Sequence, residues 1–389
     1  MAPRLKSLDL FNDAYAQRIE QLMQEKREGR KVIGTFCLYV PDEIIFAAGA
    51  DRVVLCGGKS DPITRAEEYL PRSVCPLIKS SFGSVIQSTC GTGEACPHFG
   101  LVDAVVAEAT CDGKKKMYEL LGQRVPTYVI DLPQVPDSPG ALRYFESELG
   151  RFADYLEGLT CIRATDDRLR EEIRSANETR RLLQRLFDYR KRDVPPLTGL
   201  ETLKVMQKQY FLSPAVFKDY VRALCEEIDR TESPAGERRP RIMIAGCPMP
   251  SGSTKVPEII ESHGGVIVVE ESCTGTRSFE HLVDEERLVS EALPPMQAIA
   301  ERYLKIPCAC MTPNDRRIES IVDLAREYRV DGVVYYSLQG CHGYNVERYC
   351  VQQALKQAGI SMLAIETDYS ASDAGQIGLR VEAFLEMIA

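Results

Sequence analysis

The chain has 389 residues, 44% hydrophobic and 27% charged, enough to bury the cores of two ordinary domains and too apolar for a disordered or fibrous protein. With 48 basic against 57 acidic residues the net charge is −9, which disfavours nucleic acid or anionic lipid as a partner and leaves a small polar or redox substrate as the expectation. The opening MAPRLKSLDLFNDAYAQRIEQ contains no apolar signal core, and no run reaches the ~18 apolar residues of a membrane span, so a cytoplasmic location is expected.

Residues 4 to 30 read as a charged amphipathic helix. The runs KVIGTF (31 to 36), RVVLC (52 to 56), DAVVAEA (103 to 109) and PTYVIDL (126 to 132) then alternate with helical segments, the pattern of a parallel sheet. From about 138 to 232 the apolar spacing is helical, as in DDRLREEIRSANETRRLLQRLFDY, and ESPAGERRPR (232 to 241) has linker composition. RIMIAG (241 to 246), VIVVEE (266 to 271), KIPCAC (305 to 310), GVVYYS (332 to 337) and MLAIET (362 to 367) predict five strands of a second unit, which closes on the helix DAGQIGLRVEAFLEMI with Asp373 in its first turn. The predicted organisation is an α/β domain with a leading helix at 1–137, a helical bridge at 138–235 and a second α/β domain at 236–389.

Fourteen cysteines are the informative part of the composition, and in a reducing cytoplasm they are not expected to pair as disulfides. Cys37, Cys111, Cys247, Cys273 and Cys341 each follow a predicted strand, at the carboxyl edge where parallel sheets bind ligands. Cys75 precedes Pro76 and a predicted helix start, which favours an anionic sulfur, and Cys96 also precedes a proline. Cys308 and Cys310 flank one alanine, so in extended backbone they face the same side. No C-x-x-C occurs, which excludes zinc ribbons and the bacterial ferredoxin run. Thiolates from separate strand ends in two domains suit an iron–sulfur cluster in the cleft, with ordinary buried cysteines as the competing reading. Cys56, Cys161 and Cys225 read as packing residues; Cys90 and Cys350 stay open between the two readings, with packing preferred.

GTFCLYVPDEIIFAAGA, LPRSVCPLIKSSFG, TCDGKKKMYELL, GGVIVVEESCTGTR, QGCHGY and AIETDYSASDAGQIGLRVEAFLEMI, in this order and nearly end to end, resemble the 2-hydroxyacyl-CoA dehydratase component family. CPLIKSS, TCDGKKKMYE and IPCACMTPNDRR, with Cys37 and Cys96, look most like its double-cubane cluster branch. The resemblance implies two flavodoxin-like parallel-sheet domains with helical additions and a cluster in the interdomain cleft. It implies one 4Fe-4S site at Cys75, Cys111 and Cys341, the dehydratase pattern. For a double-cubane 8Fe-9S cluster it implies three further thiolates, Cys37, Cys96 and one of Cys308 and Cys310, with Cys310 preferred; Cys308, Cys273 and Cys247 stand in reserve. It also implies an ATP-hydrolysing activator dimer that carries its own 4Fe-4S cluster. In the double-cubane branch the chain is expected as a homodimer, and in a dehydratase beside a different sister subunit.

ATP is expected on the activator and not here, because GCPMPSGSTK (246 to 255) departs from the phosphate-loop pattern G-x-x-x-x-G-K-[ST] and reads as a strand-to-helix turn. The leading expectation is an iron–sulfur oxidoreductase that delivers low-potential electrons to a small substrate. The alternatives are a subunit of a radical 2-hydroxyacyl-CoA dehydratase with one 4Fe-4S cluster, and an electron carrier or redox sensor without turnover. Candidate proton donors are His342, Glu43, Tyr344 and Glu366. Each has a plainer role: Glu43 as a helix N-terminal charge, His342 as an orienting group, Tyr344 as core. Lys114, Lys115 and Lys116 are candidates to balance cluster charge or to dock an acidic partner, although lysines on a helix ordinarily face solvent, and Asp112 reads as a helix cap.

Overall fold

The computed structural model describes residues 5–55, 57–90, 97–232 and 236–389. A 3-10 turn at Lys6–Asp9 leads into α1 (Leu10–Arg27). The first sheet and its helices follow as β1 (Val32–Thr35), α2 (Asp42–Ala47), β2 (Asp51–Val54), α3 (Ile63–Ala66), α4 (Pro76–Cys90), α5 (Pro97–Leu101), β3 (Ala104–Glu108), α6 (Asp112–Leu121) and β4 (Thr127–Ile130). Four helices succeed it: α7 (Ala141–Thr160), α8 (Asp166–Asp188), α9 (Gly199–Lys208) and α10 (Pro214–Arg230). The second sheet and its helices are β5 (Arg241–Gly246), α11 (Lys255–Ser262), β6 (Val266–Glu271), α12 (Glu285–Ser290), α13 (Pro295–Leu304), α14 (Asp315–Glu327), β7 (Gly332–Leu338), α15 (His342–Gln357), β8 (Ser361–Thr367) and α16 (Ala374–Ile388).

Both sheets are parallel and share one topology, β2-β1-β3-β4 and β6-β5-β7-β8, the arrangement of two flavodoxin-like units. Strands β3 and β5 are buried at every position, as continuous apolar runs covered on both faces should be. The chain order reverses between β1 and β3 in the first sheet and between β5 and β7 in the second, which opens a crevice at each switch point.

Adjacent residues of one strand point to opposite faces and enter different cores. Val32, Val53 and Val105 join one apolar cluster that continues through the second sheet at Met243 and Ile244. Ile33, Ala104 and Val106 join another, with Phe145 and Phe152 of α7 and Ile299 and Tyr303 of α13. Helix α8 touches both: Leu169 and Ile173 lie in the second cluster, Leu183 and Phe187 in the first. Local signals fix the helix starts. Thr198 and Glu201 form a reciprocal capping box on α9, and Pro214 opens α10.

The predicted strand KIPCAC does not form, so the second sheet has four strands and not five. Pro307 lacks an N–H, and the backbone there closes on itself: Cys308 N–H donates to Ile306 O at 3.0 Å and Met311 N–H to Cys308 O at 2.9 Å. The Tyr39 hydroxyl donates to Ile306 O at 2.7 Å, taking the place of a ladder bond.

Candidate functional site

Among the described residues, eight cysteines line one cavity of about 1150 Å3: Cys37, Cys75, Cys111, Cys247, Cys273, Cys308, Cys310 and Cys341. Four of them leave the sheets at the two switch points, Cys37 after β1, Cys111 after β3, Cys247 after β5 and Cys341 after β7. Two glycines bring these segments close. Gly246 takes φ +137°, and a Cβ there would lie 2.0 Å from Tyr336 O. Gly340 takes φ +70°, and its Cβ would lie 2.2 Å from Ser73 O, so only glycine lets the loop of Cys341 reach the loop of Cys75.

The thiols form two groups. In the first, Cys75, Cys111 and Cys341 each stand immediately before a helix, α4, α6 and α15. The Leu77 and Ile78 amides act to favour the thiolate of Cys75, the Lys114 amide that of Cys111 and the Tyr344 amide that of Cys341. Backbone N–H groups at a helix start favour negative charge on sulfur. Cys341 also interacts with the free thiols of Cys75 and Cys247, which draws Cys247 into the group. As free thiols they oppose one another's ionisation: a hydrogen bond to Cys341 and burial push Cys75 well up.

In the second group, the free thiols Cys37 and Cys273 shift one another's ionisation, as do Cys308 and Cys310, while Tyr39 feels the charge of all four. All four sit in loops rather than at helix starts. Guanidiniums replace the helix amides. Arg277 is buried, lies 3.8 Å from Cys273 Sγ and donates to Glu271 (2.5 Å), the Tyr344 hydroxyl (2.5 Å) and Gly246 O (3.0 Å). Arg317, equally buried, holds the other side of Glu271 at 2.9 Å and pairs with Glu347. The Cys310 hydrogen bond, against burial and with help from Arg277, pulls Cys308 down to about 6 and leaves Cys310 pushed up. Between the groups, buried Glu108 is paired with Lys114, and this pair acts electrostatically on Cys37, Cys111 and Cys310. Glu108 Oε2 is buried with no hydrogen-bond partner.

Among the described residues, no three His, Cys, Asp or Glu side chains converge on the position of a single ion. The donors are soft sulfurs distributed around a volume, faced by helix amides, Arg277 and Lys114. That chemistry fits an iron–sulfur cluster.

Of the predicted ligands, the structure brings Cys37, Cys75, Cys111, Cys310 and Cys341 to this cavity, with the reserves Cys247, Cys273 and Cys308. Cys96 lies outside the described residues, as do Cys56 and the side chain of Cys90. Cys161, Cys225 and Cys350 do not line the cavity. His342 is exposed in the first turn of α15 and lines it. Glu43 is buried in its wall, bonded to Arg180 at 2.6 Å and the Tyr303 hydroxyl at 2.7 Å. Against the upward push of burial, the Arg180 and Arg302 charges hold its carboxyl below the usual range. Tyr344, in the first turn of α15, is buried in the core, and its hydroxyl accepts from Arg277 at 2.5 Å. Glu366 is exposed on β8, accepts from Asn345 at 3.2 Å and does not line the cavity. The lysine run is split: Lys114 turns inward to Glu108, whereas Lys115 pairs with Asp112 (2.9 Å) and Lys116 with Glu119 (2.8 Å) on the outer face. Asp112 makes no capping bond, because Cys111 occupies the N-cap. Sequence reasoning missed Arg277, Arg317 and Glu108. The signal for them was there: acids that close apolar strands, Glu271 in VIVVEE and Glu108 in AVVAE, are buried at strand ends and need cations.

The fold and site define an α/β protein with paired parallel sheets and a thiol-lined cavity at their switch points. The family described as 2-hydroxyglutaryl-CoA dehydratase, D-component, matches residues 37–388, and the chain belongs to that family. It is 38% identical over 98% of its length to "Putative dehydratase subunit YjiM" of Escherichia coli K12, of which it covers 97%. It is 22% identical to the (R)-phenyllactyl-CoA dehydratase beta subunit of Clostridium sporogenes, over 97% of each chain. It is 23% identical to a benzoyl-CoA reductase component of Thauera aromatica, over 84% of this chain and 82% of that one. Among the described residues, no helix is long and apolar enough to cross a membrane.

Proposed function

We propose that this chain is the substrate-reducing component of an ATP-activated iron–sulfur reductase and holds a double-cubane 8Fe-9S cluster between its two sheets. The observation that carries this reading is the pair of thiol groups in one cavity, with Glu108 and Lys114 acting on members of both. Cys75, Cys111 and Cys341 would hold one cubane. Cys37, Cys310 and Cys96 would hold the other, with Cys308, Cys273 and Cys247 in reserve. When bound, such a cluster supplies low-potential electrons, because each added electron meets thiolate and sulfide charge at a site of limited solvation.

The chain's own groups set the conditions. Arg277 and Lys114 offset part of the negative charge, and the helix amides at Cys75, Cys111 and Cys341 offset more. His342 would pass a proton inward from solvent, a role supported by its exposure and its position on the cavity lining. Glu43, ionised and bound to Arg180, shapes the wall instead of donating. The reading assigns electron supply to an ATP-hydrolysing activator dimer with its own 4Fe-4S cluster, a small molecule as substrate, and a cytoplasmic homodimer as the working form.

A second reading, a dehydratase subunit with one 4Fe-4S cluster at Cys75, Cys111 and Cys341, is favoured by one observation. Among the described cysteines, these three alone stand directly before helices of the cavity wall. Iron and acid-labile sulfide measured per chain on anaerobically purified protein separate the two. About eight irons with sulfide slightly in excess supports the double-cubane reading, and about four supports the dehydratase reading. An iron-free protein that resists anaerobic reconstitution refutes both.

A further inference from the structure

A second stretch of the same cavity wall, built from α2, α8 and α13 with Arg52 of β2, carries more buried positive charge than negative. Arg52 forks onto Asp42 at 3.0 and 2.6 Å, and Arg180 reaches Glu43 at 2.6 Å, so two guanidiniums meet two carboxylates. Arg302 is the third guanidinium and is 3% exposed. Its bonds run to neutral carbonyls, His281 O at 3.1 Å and Ser278 O at 2.9 Å. Burial, followed by the neighbouring Arg180 charge, presses its pKa down to about 10. Tyr303 donates to Glu43 at 2.7 Å, and burial keeps its phenol neutral. Glu172, the other acid of this wall, is pushed up by burial and interacts with Glu171, Glu43, Arg168 and Arg30. Arg302 also stacks over the Tyr303 ring at 4.5 Å and feels Glu43 and Asp42, but those carboxylates are already paired with Arg180 and Arg52; a buried cation hydrogen-bonded only to carbonyls is costly, and an anion entering the cavity would offset that cost.

We propose that Arg302, backed by Arg180, forms an oxyanion subsite that binds a carboxylate or phosphate group of the substrate. Three segments tie this subsite to the thiols: Cys37 runs to Glu43, Cys273 to Ser278 and Cys308 back to Arg302, each a matter of five or six residues. Even fully extended, six residues span only about 20 Å, the reach of a small or medium substrate. The anionic end is thus anchored at Arg302 and the reducible end is directed toward the sulfurs. The proposal deepens the proposed function and rests on it only for what lies at the thiols.

The test is isothermal titration calorimetry on the full chain, purified anaerobically and held at constant ionic strength, with propionate and inorganic phosphate as separate probes. Saturable binding of propionate assigns the subsite to a carboxylate, and saturable binding of phosphate assigns it to a phosphate group. Arg302→Gln is expected to weaken that binding about tenfold or more, as loss of a charge-assisted contact implies. Glu43→Gln, which removes a negative charge from the same wall, is expected to tighten it severalfold, an effect that misfolding does not produce. Failure of both anions to bind saturably, or equal binding by the wild type and both variants, overturns the proposal. Iron counted on the same samples reads the cluster assignment independently.

Discussion

The two thiol groups solve one electrostatic problem by different means. Cys75, Cys111 and Cys341 are held where the chain enters α4, α6 and α15, and backbone amides face their sulfurs. Cys37, Cys273, Cys308 and Cys310 are held in loops, and their compensation comes from side chains, chiefly Arg277 with Arg317 behind it. Amides of a helix start are fixed by secondary structure, and no substitution short of proline removes one. Guanidiniums depend on a buried ion network that one substitution breaks. The helix-held group is therefore the sturdier half of the site, and the loop-held group is the half that variation can alter or delete.

The largest expected effect comes from the sturdy half. Cys341→Ser removes a thiol that interacts with both Cys75 and Cys247, and chemical analysis should find most of the wild-type iron gone, with well under about four of eight irons left. Cys310→Ser, from the loop-held group, should be milder and leave about four of the eight irons per chain; if both variants lose iron equally, the two groups are not separable. Next is Arg277→Met, which leaves Glu271 buried with Arg317 as its remaining cation. Urea denaturation should show a loss of about 3–5 kcal/mol, with partial recovery in Arg277→Lys. Lys114→Met strands Glu108 between the groups, and we expect about 2–3 kcal/mol of destabilisation together with a more negative reduction potential in a redox titration. The smallest effect belongs to a position far from either group: Thr198→Ala removes the α9 capping box, costs about 1 kcal/mol and leaves the iron content unchanged.

Much of this arrangement was legible in the sequence, for a physical reason. A parallel strand covered on both faces must be an apolar run, so RIMIAG and VIVVEE mark β5 and β6 to the residue, and a cysteine just beyond such a run falls in the crevice. KIPCAC misled because three apolar residues and two cysteines imitate a strand, while Pro307 and the Tyr39 hydroxyl turn the backbone away from any sheet. The guanidinium wall was not legible. Arg180 lies in a helix so rich in charge that its surface role looks obvious, and only the packing of α8 against α2 and α13 buries it beside Glu43. Arg302 is hidden in the same way, because α13 belongs to the second half of the chain and packs on the first sheet.

The most direct test of the two-group account is anomalous diffraction at the iron edge from anaerobically grown crystals. The account predicts iron density continuous across the cavity, from Cys75, Cys111 and Cys341 past Glu108 and Lys114 to Cys37 and Cys310. Density confined to Cys75, Cys111 and Cys341, with free thiols at Cys37, Cys273, Cys308 and Cys310, would contradict it.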